Sequence, residues 1–191
     1  MTDSSFARYS EACNELIGSA GSLDLGPGIP NRQVEAQLAA LTPDTVFSGQ
    51  TVTDPRMARC CISGLWLRHN FLDESHAISQ DINTSTGSYW HGIMHRREPD
   101  FSNAKYWFRR VGDHPIFADL NTAAQQLAAI EPTDAYSEHL PTRSKWDPHG
   151  FVDLCEEVLR GRARCHSLCQ KIAQTEWDLL FDYCYRRAIR E

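Results

Sequence analysis

The sequence predicts an all-α fold, a single-domain helical bundle with a central helical hairpin and long loops. Apolar residues recur every three or four positions, as in Leu168, Ile172 and Leu179 near the end of the chain. Asp54 followed by a proline is a strong helix-start signal. No segment shows the strict alternation that is typical of paired strands. A chain of 191 residues can bury one substantial core, and nothing in it requires a second domain.

Short helices and loops are expected to alternate in the first part of the chain. Ser4 or Ser5 is expected to cap a helix that extends to about Ile17, because apolar residues follow at helical spacing. A second short helix is expected at residues 33–41. The loops are residues 18–30, rich in glycine and proline, and residues 42–53, in which Val46 and Phe47 are expected to turn inward.

The central hairpin is predicted from two helical segments and the loop between them. The first segment begins after Asp54 and extends to about Gln80, with a break expected within residues 70–75. The loop occupies residues 81–88, and its last residue, Ser88, is well suited to cap the next helix.

The second segment of the hairpin is predicted at residues 89–97. It is expected to stop there because Pro99 pushes the residue before it out of the helical conformation. Further helices are expected at residues 104–111, capped by Ser102 or Asn103, and at residues 116–130, 150–160 and 164–190, with an exposed connection at residues 131–149.

Composition excludes several classes of protein. A formal net charge of -6 argues against sequence-independent binding of nucleic acid, which needs a broadly basic surface. No apolar run approaches the roughly 20 residues that span a bilayer, and the first residues lack a signal-peptide pattern. Seven cysteines without a CxxC pair favour reduced, buried thiols over a disulfide framework. We therefore expect a cytoplasmic protein.

Residue types that bind metals recur twice at the same helical spacing. At about 100° per residue, positions i, i+4 and i+7 lie on one face of a helix. First-row transition metals take three or four imidazole or carboxylate ligands, and helical bundles supply such ligands from facing helices. The two sets are His69, Asp73 and His76 in the first segment, and His91, His95 and Glu98 in the second.

An antiparallel hairpin is expected to bring the two sets together, with His76 near His91 and Asp73 near His95. The predicted ligands of a divalent transition metal (Zn, Fe or Mn) are His69 and these four residues. Each set spans roughly 10 Å of helix, so all of them cannot reach one ion. A mononuclear site made from part of the set and a dinuclear site both stay open. The alternative is that the histidines are structural, since HxxxH lacks the adjacent glutamate of HExxH.

Cationic and aromatic side chains alternate around the second histidine set. Arginine binds carboxylate or phosphate in two-point fashion, and aromatic faces hold flat groups. This pattern predicts a pocket for a small anionic molecule. The alternative is that nearby acidic residues neutralise the cations and that the aromatic side chains belong to the core. The predicted substrate-binding residues are Arg96, Arg97, Lys105, Arg109, Tyr89 and Trp90.

Two glutamates are the candidates for catalytic proton transfer. Glu98 belongs to the second histidine set, and Glu176 interrupts an apolar stripe in the last predicted helix. A lone buried carboxylate is costly, so Glu176 is expected to have a partner. A salt bridge inside the bundle is the favoured interpretation, and a catalytic or ligand role is the alternative.

Three stretches of the sequence resemble a family of uncharacterised bacterial and fungal proteins. The longest is Tyr-Trp-His-Gly-Ile-Met-His-Arg-Arg-Glu-Pro-Asp-Phe-Ser-Asn-Ala-Lys-Tyr-Trp-Phe at residues 89–108. The others are Trp146-Asp-Pro with Phe-Val-Asp-Leu-Cys-Glu at residues 151–156, and the closing segment at residues 176–186. The resemblance covers about half of the chain. It implies no activity, so it assigns no role to any residue.

These patterns predict a metal-dependent enzyme, a hydrolase or oxidoreductase, that acts on a small anionic substrate in a pocket lined by histidine, arginine and aromatic residues. Two alternatives stay open. One is a metal-free protein that binds a phosphate, carboxylate or sugar, or an acid-base enzyme that uses the same pocket. The other is an interaction protein with structural histidines. Neither nucleic acid nor membrane is an expected partner, and a homo-oligomer is left open.

Overall fold

The regular structure of the protein is helical throughout the part that the computed structural model describes. That part comprises residues 9–189, with the side chain of Pro141 excepted. It contains ten α-helices and no strand, which confirms the predicted all-α class. The number of domains stays a prediction. The helices are α1 (Glu11–Ser19), α2 (Glu35–Ala39), α3 (Pro43–Val46), α4 (Pro55–Arg68), α5 (Leu72–Ser79), α6 (Ser85–Arg97), α7 (Phe101–Val111), α8 (Phe117–Ile130), α9 (Pro148–Leu159) and α10 (His166–Ile189).

Short polar side chains fix where the central helices begin. The Asp54 carboxylate accepts hydrogen bonds from the backbone N–H groups of the first turn of α4, and Pro55 occupies the first helical position, as predicted. The predicted break after α4 is also present. Asn70 has a φ of 66°, a left-handed conformation that asparagine tolerates better than most residues, and it separates α4 from α5.

The two helices that follow begin earlier than the sequence predicts. Thr84, not Ser88, caps α6, so the helix starts at Ser85. Residues 85–88, the second half of the predicted loop, therefore belong to the helix. Asp100 caps α7 by accepting a hydrogen bond from the backbone N–H of Asn103. This cap frees the Asn103 side chain for another contact.

The remaining differences from the predicted elements are small. Ser10 caps α1, and the caps predicted at Ser4 or Ser5 lie outside the described residues. The predicted helix at residues 33–41 is a short 3₁₀ turn followed by α2. Val46 and Phe47 are buried as expected, although the first of them lies in α3. The connection at residues 131–147 is not simply exposed, because Ser137, Leu140 and Trp146 in it are buried.

Two close contacts hold the centre of the bundle together. The longest helix, α10, packs against α4, α8 and α9, and α6 packs against α4, α5 and α7. Gly64 on α4 lies directly against the ring of Trp90 on α6. The indole N–H of Trp177 on α10 donates to the backbone carbonyl of Gly64 at 2.9 Å. These contacts fix α6, which carries two of the candidate ligands. No helix in residues 9–189 is both long and apolar enough to cross a bilayer.

Candidate metal centre

Three histidines from two neighbouring helices converge in the hairpin. His76 lies on α5, and His91 and His95 lie one turn apart on α6. The ring centroid of His76 is 4.6 Å from that of His91 and 5.4 Å from that of His95, and the two α6 rings are 4.7 Å apart. One ring nitrogen of each residue lies within 4.8 Å of the others. We refer to His76, His91 and His95 as the histidine cluster.

The hairpin geometry explains this convergence. The break at Asn70 turns the chain, and the short helix α5 then packs against α6, as the sequence predicted. Residues four apart on a helix lie on one face, so His91 and His95 both face α5. His76 therefore contacts both of them, whereas the prediction placed it near His91 alone.

A carboxylate orients the ring of His95. The Nδ1 of His95 donates a hydrogen bond to Glu98 Oε2 at 3.0 Å, which leaves Nε2 with a lone pair. The amide nitrogen of Asn103 lies 3.0 Å from Nε2 and 3.4 Å from Nδ1 of the same ring. An atom this close to both nitrogens lies towards the face of the ring, because an in-plane position would overlap the ring carbons. The Nε2 lone pair therefore stays available to a metal.

Ser79 and Trp107 fix the ring of His91. The buried Ser79 hydroxyl is 2.8 Å from His91 Nδ1, so Nε2 is again the nitrogen left for a ligand. The Trp107 ring lies against the imidazole, with centroids 4.1 Å apart. Histidines that bind metals usually engage the second ring nitrogen in this way, which fixes the tautomer and the orientation of the ring.

Burial favours the uncharged form of the two α6 histidines. It lowers the pKa of His91 to about 3, and the neighbouring His95 and His76 add to the effect. Burial also lowers the pKa of His95, although Glu98 opposes the shift. Histidine must be neutral to ligate a metal, so the lowered pKa values of His91 and His95 favour the state that binds a metal.

The cluster fits a transition metal after small side-chain movements. A point equidistant from three nitrogens 4.8 Å apart lies about 2.8 Å from each, whereas Zn–N bonds are about 2.0–2.1 Å. Shifts of less than about 1 Å would bring each imidazole to bonding distance. Soft rotations of the rings can supply such shifts, so a divalent ion can be held by this group.

Two predicted ligands, His69 and Asp73, do not belong to the cluster. His69 ends α4, and its Nε2 is 2.9 Å from the carbonyl oxygen of Leu16 while its Nδ1 is 3.3 Å from the Asn31 amide. Asp73 is exposed in the first turn of α5 and lines a surface depression with Arg32. The break at Asn70 separates His69 from the helix that carries His76, and Asp73, three residues before His76 on α5, is exposed to solvent. Both findings correct the prediction of one continuous stripe.

Glu176 and Arg96 form a buried ion pair, which confirms the interpretation favoured from sequence. Their side chains are 0% and 2% exposed, and Arg96 Nη2 donates to Glu176 Oε2 at 2.5 Å. The Tyr89 hydroxyl donates to the other carboxylate oxygen at 3.0 Å. Each oxygen of this carboxylate accepts a hydrogen bond from a buried side chain and is shielded from solvent, which supports a structural role. This corrects the catalytic role considered for Glu176 and the substrate-binding roles predicted for Arg96 and Tyr89.

Arg97 and Trp90 are also buried in the core. Arg97 donates to the backbone carbonyls of Leu67 at 2.6 Å and Gly26 at 3.1 Å and contacts the side chain of Asn70, so it ties the loop before α2 to the end of α4. Trp90 is fully buried and donates to a cysteine sulfur. Neither side chain can reach a ligand from solvent, contrary to the prediction.

The last two predicted substrate-binding residues lie on another surface. Lys105 pairs with Asp153 on α9, and the Arg109 guanidinium lies 5.9 Å from the ring centroid of Tyr106. Both line an open cavity between α7 and α9 that contains no member of the histidine cluster. The anion pocket predicted from sequence is therefore divided between the core and this separate surface.

Sequence reasoning missed the residues that support the cluster. Ser79 lies one turn after His76, and its hydroxyl reaches across to α6. Arg110 places its guanidinium 5.1 Å from the ring centroid of Trp107, beside His91. A signal was present, because the contributing residues of α7 have the same i, i+4, i+7 spacing as the predicted ligand sets. They are Asn103, Trp107 and Arg110.

Comparison with known proteins found no matching family model, no matching curated protein and no matching solved structure. The resemblance to uncharacterised bacterial and fungal proteins stays a prediction.

Proposed function

We propose that the protein is a metal-dependent enzyme whose histidine cluster binds one divalent first-row transition metal and acts on a small anionic substrate. The observation that carries this proposal is the convergence of three imidazole nitrogens within 4.8 Å of one another. Two of the three rings have the opposite nitrogen engaged, one by a carboxylate and one by a hydroxyl. Imidazole nitrogens that lie this close together can share one cation.

The number of ligands favours a catalytic centre over a structural one. Structural zinc sites have four protein ligands, whereas catalytic sites have three and keep a position for water or substrate. His91 and His95 are buried, but His76 is only partly buried, so the centre reaches the surface beside His76. A bound ion there would lower the pKa of a coordinated water or polarise a substrate oxygen.

The side chains next to the cluster favour a flat or anionic substrate. Trp107 is partly exposed and covers one side of His91, and Arg110 lies near the Trp107 ring and 3.4 Å from the Asn83 side chain. A guanidinium beside an aromatic ring suits a carboxylate or phosphate that is carried on a planar group. Arg110 takes the role that the sequence assigned to Arg96, Arg97 and Arg109.

In this proposal Glu98 is a positioning residue. Its carboxylate accepts the hydrogen bond from His95 Nδ1 and thereby raises the basicity of that ligand. Ser79 holds His91 in the corresponding way. Neither residue needs to transfer a proton.

The first test is elemental analysis of protein that is purified without a histidine tag or chelator. The comparison is between the wild type, the His91→Ala, His95→Ala double variant and a His139→Ala control, whose histidine is exposed. We expect about one transition-metal ion per chain in the wild type and the control and almost none in the double variant. Circular dichroism would show whether the double variant keeps its helices. Absence of metal from the wild type, or retention of metal by a folded double variant, overturns the metal centre.

The second test concerns activity. Metal-loaded and chelator-treated protein would be screened against carboxylic and phosphoric esters and in oxygen-consumption assays. We expect turnover that depends on the metal and falls at least tenfold in Arg110→Ala. A metal-loaded protein that turns over nothing in either screen would contradict the enzymatic part of the proposal and leave a metal-binding protein.

A further inference from the structure

Two cysteine thiols lie in contact at the start of α10. Cys165 immediately precedes the helix, Cys169 lies in its first turn, and their Sγ atoms are 3.9 Å apart. Both residues are buried, at 2% and 0% exposed. The pair is separate from the histidine cluster, which lies on α5 and α6.

The backbone geometry suits a bond between the two sulfurs. The backbone N–H of Cys169 donates to the carbonyl oxygen of Cys165 at 3.0 Å, so the two residues are one helical turn apart. This spacing separates the Cα atoms by about 6.2 Å, within the range of about 4.4–6.8 Å that disulfides span. The S–S bond is about 2.05 Å long, so the sulfurs need to approach by about 2 Å. Rotation of the two short side chains is the movement that this requires.

Cys165 lies closer to solvent than Cys169. It is placed at the end of the helix between the exposed residues Arg164 and His166, whereas Cys169 is inaccessible. Helix ends open locally at a low cost in free energy, and such an opening admits a small oxidant to Cys165. We therefore expect Cys165 to be the thiol that reacts first.

The surroundings of the pair keep it reduced until an oxidant is present. Burial raises the pKa of the Cys165 thiol, and the hydrogen bond with the Cys155 thiol, together with burial, raises the pKa of Cys169. The thiolate is the reactive form, so oxidation is expected to be slow at neutral pH and faster as the pH rises. Cys155, on α9, is also the competing partner for Cys169.

We propose that Cys165 and Cys169 are a modification site that forms a reversible disulfide, with hydrogen peroxide as the oxidant and a dithiol as the reductant. The Cys165 thiolate attacks one peroxide oxygen and the O–O bond breaks, which gives a sulfenic acid and a hydroxide that takes up the proton lost by Cys165. The Cys169 sulfur then attacks the Cys165 sulfur, the S–O bond breaks, and the Cys169 proton leaves with the hydroxide as water. Two thiols and one peroxide thus give one disulfide and two waters. A dithiol reverses the modification by thiol–disulfide exchange, and the proposal does not depend on the metal centre.

The test is treatment of the folded, chelator-treated protein with hydrogen peroxide, followed by alkylation, trypsin digestion without reductant and mass spectrometry. Cleavage after Arg164 and Lys171 gives a peptide of residues 165–171 that contains this pair and no other cysteine. We expect this peptide to resist alkylation and to be about 2 Da lighter than its reduced form, the mass of the two hydrogens lost. Dithiothreitol should reverse both changes. The peptide of residues 172–186, whose single cysteine is the fully buried Cys184, is the internal control and should stay reduced.

Three results would overturn the proposal. The first is a peptide of residues 165–171 that is unchanged or that dithiothreitol does not restore. The second is equal oxidation of the Cys184 peptide, which would indicate general oxidation of the chain. The third is a cross-link between residues 165–171 and residues 146–160, because Cys155 is the one cysteine of the latter peptide and would then be the partner of the pair.

Variants test the order of the two steps. In Cys169→Ser the sulfenic acid on Cys165 has no thiol to attack it, so we expect dimedone to label Cys165. In Cys165→Ser we expect Cys169 to stay unlabelled, and Cys155→Ala is the control that should keep the wild-type disulfide. In the wild type the rate should rise about tenfold from pH 7 to pH 8, as the thiolate fraction does below the pKa. Loss of the disulfide in Cys155→Ala, or equal labelling of the two serine variants, would contradict the proposed route.

Discussion

The imidazole of His95 donates a hydrogen bond from Nδ1 to the carboxylate of Glu98, three residues later in the chain, at 3.0 Å. Glu98 ends α6, and its side chain is about half exposed, so its charge stays solvated. The contact joins two residues that are close in sequence, and it determines which nitrogen of the His95 ring is left for a ligand. It leaves the Nε2 of His95 as the nitrogen that can share a ligand with His76 and His91.

Removal of this carboxylate should weaken metal binding. We expect Glu98→Ala to lower the affinity for zinc by about 10- to 100-fold, the loss typical when the partner of a ligating histidine is removed. Glu98→Gln should lose less, because its amide oxygen can still accept from Nδ1. Competition with a chromogenic chelator measures the affinity. Glu138→Ala, at an exposed glutamate, is the control, and an affinity equal to the control would refute the role of Glu98.

Removing one partner of the buried Arg96–Glu176 pair should destabilise the protein strongly, whereas replacing both partners with apolar residues should destabilise it little. We expect Glu176→Gln to lower the free energy of unfolding by about 3–5 kcal/mol, because it leaves the guanidinium without a counter-charge. Replacing both partners, in Arg96→Met, Glu176→Leu, should recover much of the loss. Urea unfolding measures both. A change in Glu176→Gln no larger than that in Glu156→Gln, at a more exposed ion pair, would show that the buried pair is not coupled.

His114 should make the protein less stable in acid. It is 3% exposed among aromatic rings, and burial lowers its pKa from 6.5 to about 4. The unfolded chain therefore binds this proton more readily, so the stabilisation is complete above pH 6.5 and is lost as the pH falls towards 4. The free energy of unfolding falls between pH 7 and pH 4.5, and we expect this fall to be about 2 kcal/mol smaller in His114→Gln than in the wild type.

The measurement for His114 is urea unfolding of chelator-treated protein at several pH values, with His139→Gln as the exposed control. Burial also lowers the pKa of His69, His91 and His95, so the comparison between variants is the informative quantity. Parallel stability curves for the wild type and His114→Gln would contradict the prediction.

Gly64 should not tolerate a methyl group. A Cβ at this position would lie 2.8 and 2.9 Å from carbons of the fully buried Trp90 ring, which has no room to move. Overpacking of this kind costs about 1–3 kcal/mol, and we expect a net loss of at least about 1 kcal/mol in Gly64→Ala after the gain in helix propensity. Gly21→Ala meets nothing within 4 Å and should be neutral or slightly stabilising. Thermal unfolding compares the two variants, and equal melting temperatures would be the contrary result.

Much of the fold follows from local signals in the sequence. The start of α4 at Asp54 and the end of α6 before Pro99 depend on capping and on proline sterics, which act over a few residues. The predicted start of α6 was wrong because two residues, Thr84 and Ser88, were both suited to cap the helix. Thr84 precedes Ser88, and Thr84 is the cap because residues 85–88 can form another helical turn.

The candidate site could be predicted only in part. The pairing of His91 and His95 follows from helical spacing, and the approach of His76 follows from a short hairpin. The environment of the other polar residues does not follow, because their partners are remote. His69 contacts Leu16, which is 53 residues away, and Arg96 contacts Glu176, which is 80 residues away.

The sequence by itself determined the helical class, most helix boundaries and the face that carries the histidine cluster, since each depends on residues within two turns of one another. The tertiary structure decided which charged side chains are buried and which reach solvent. Arg96 and Arg97 are core residues, whereas Arg110 is exposed and lies near the ring of Trp107, which contacts His91. The physical reason is that the cost of burying a charge is offset only by a specific partner. The packing of remote helices alone determines whether that partner is present.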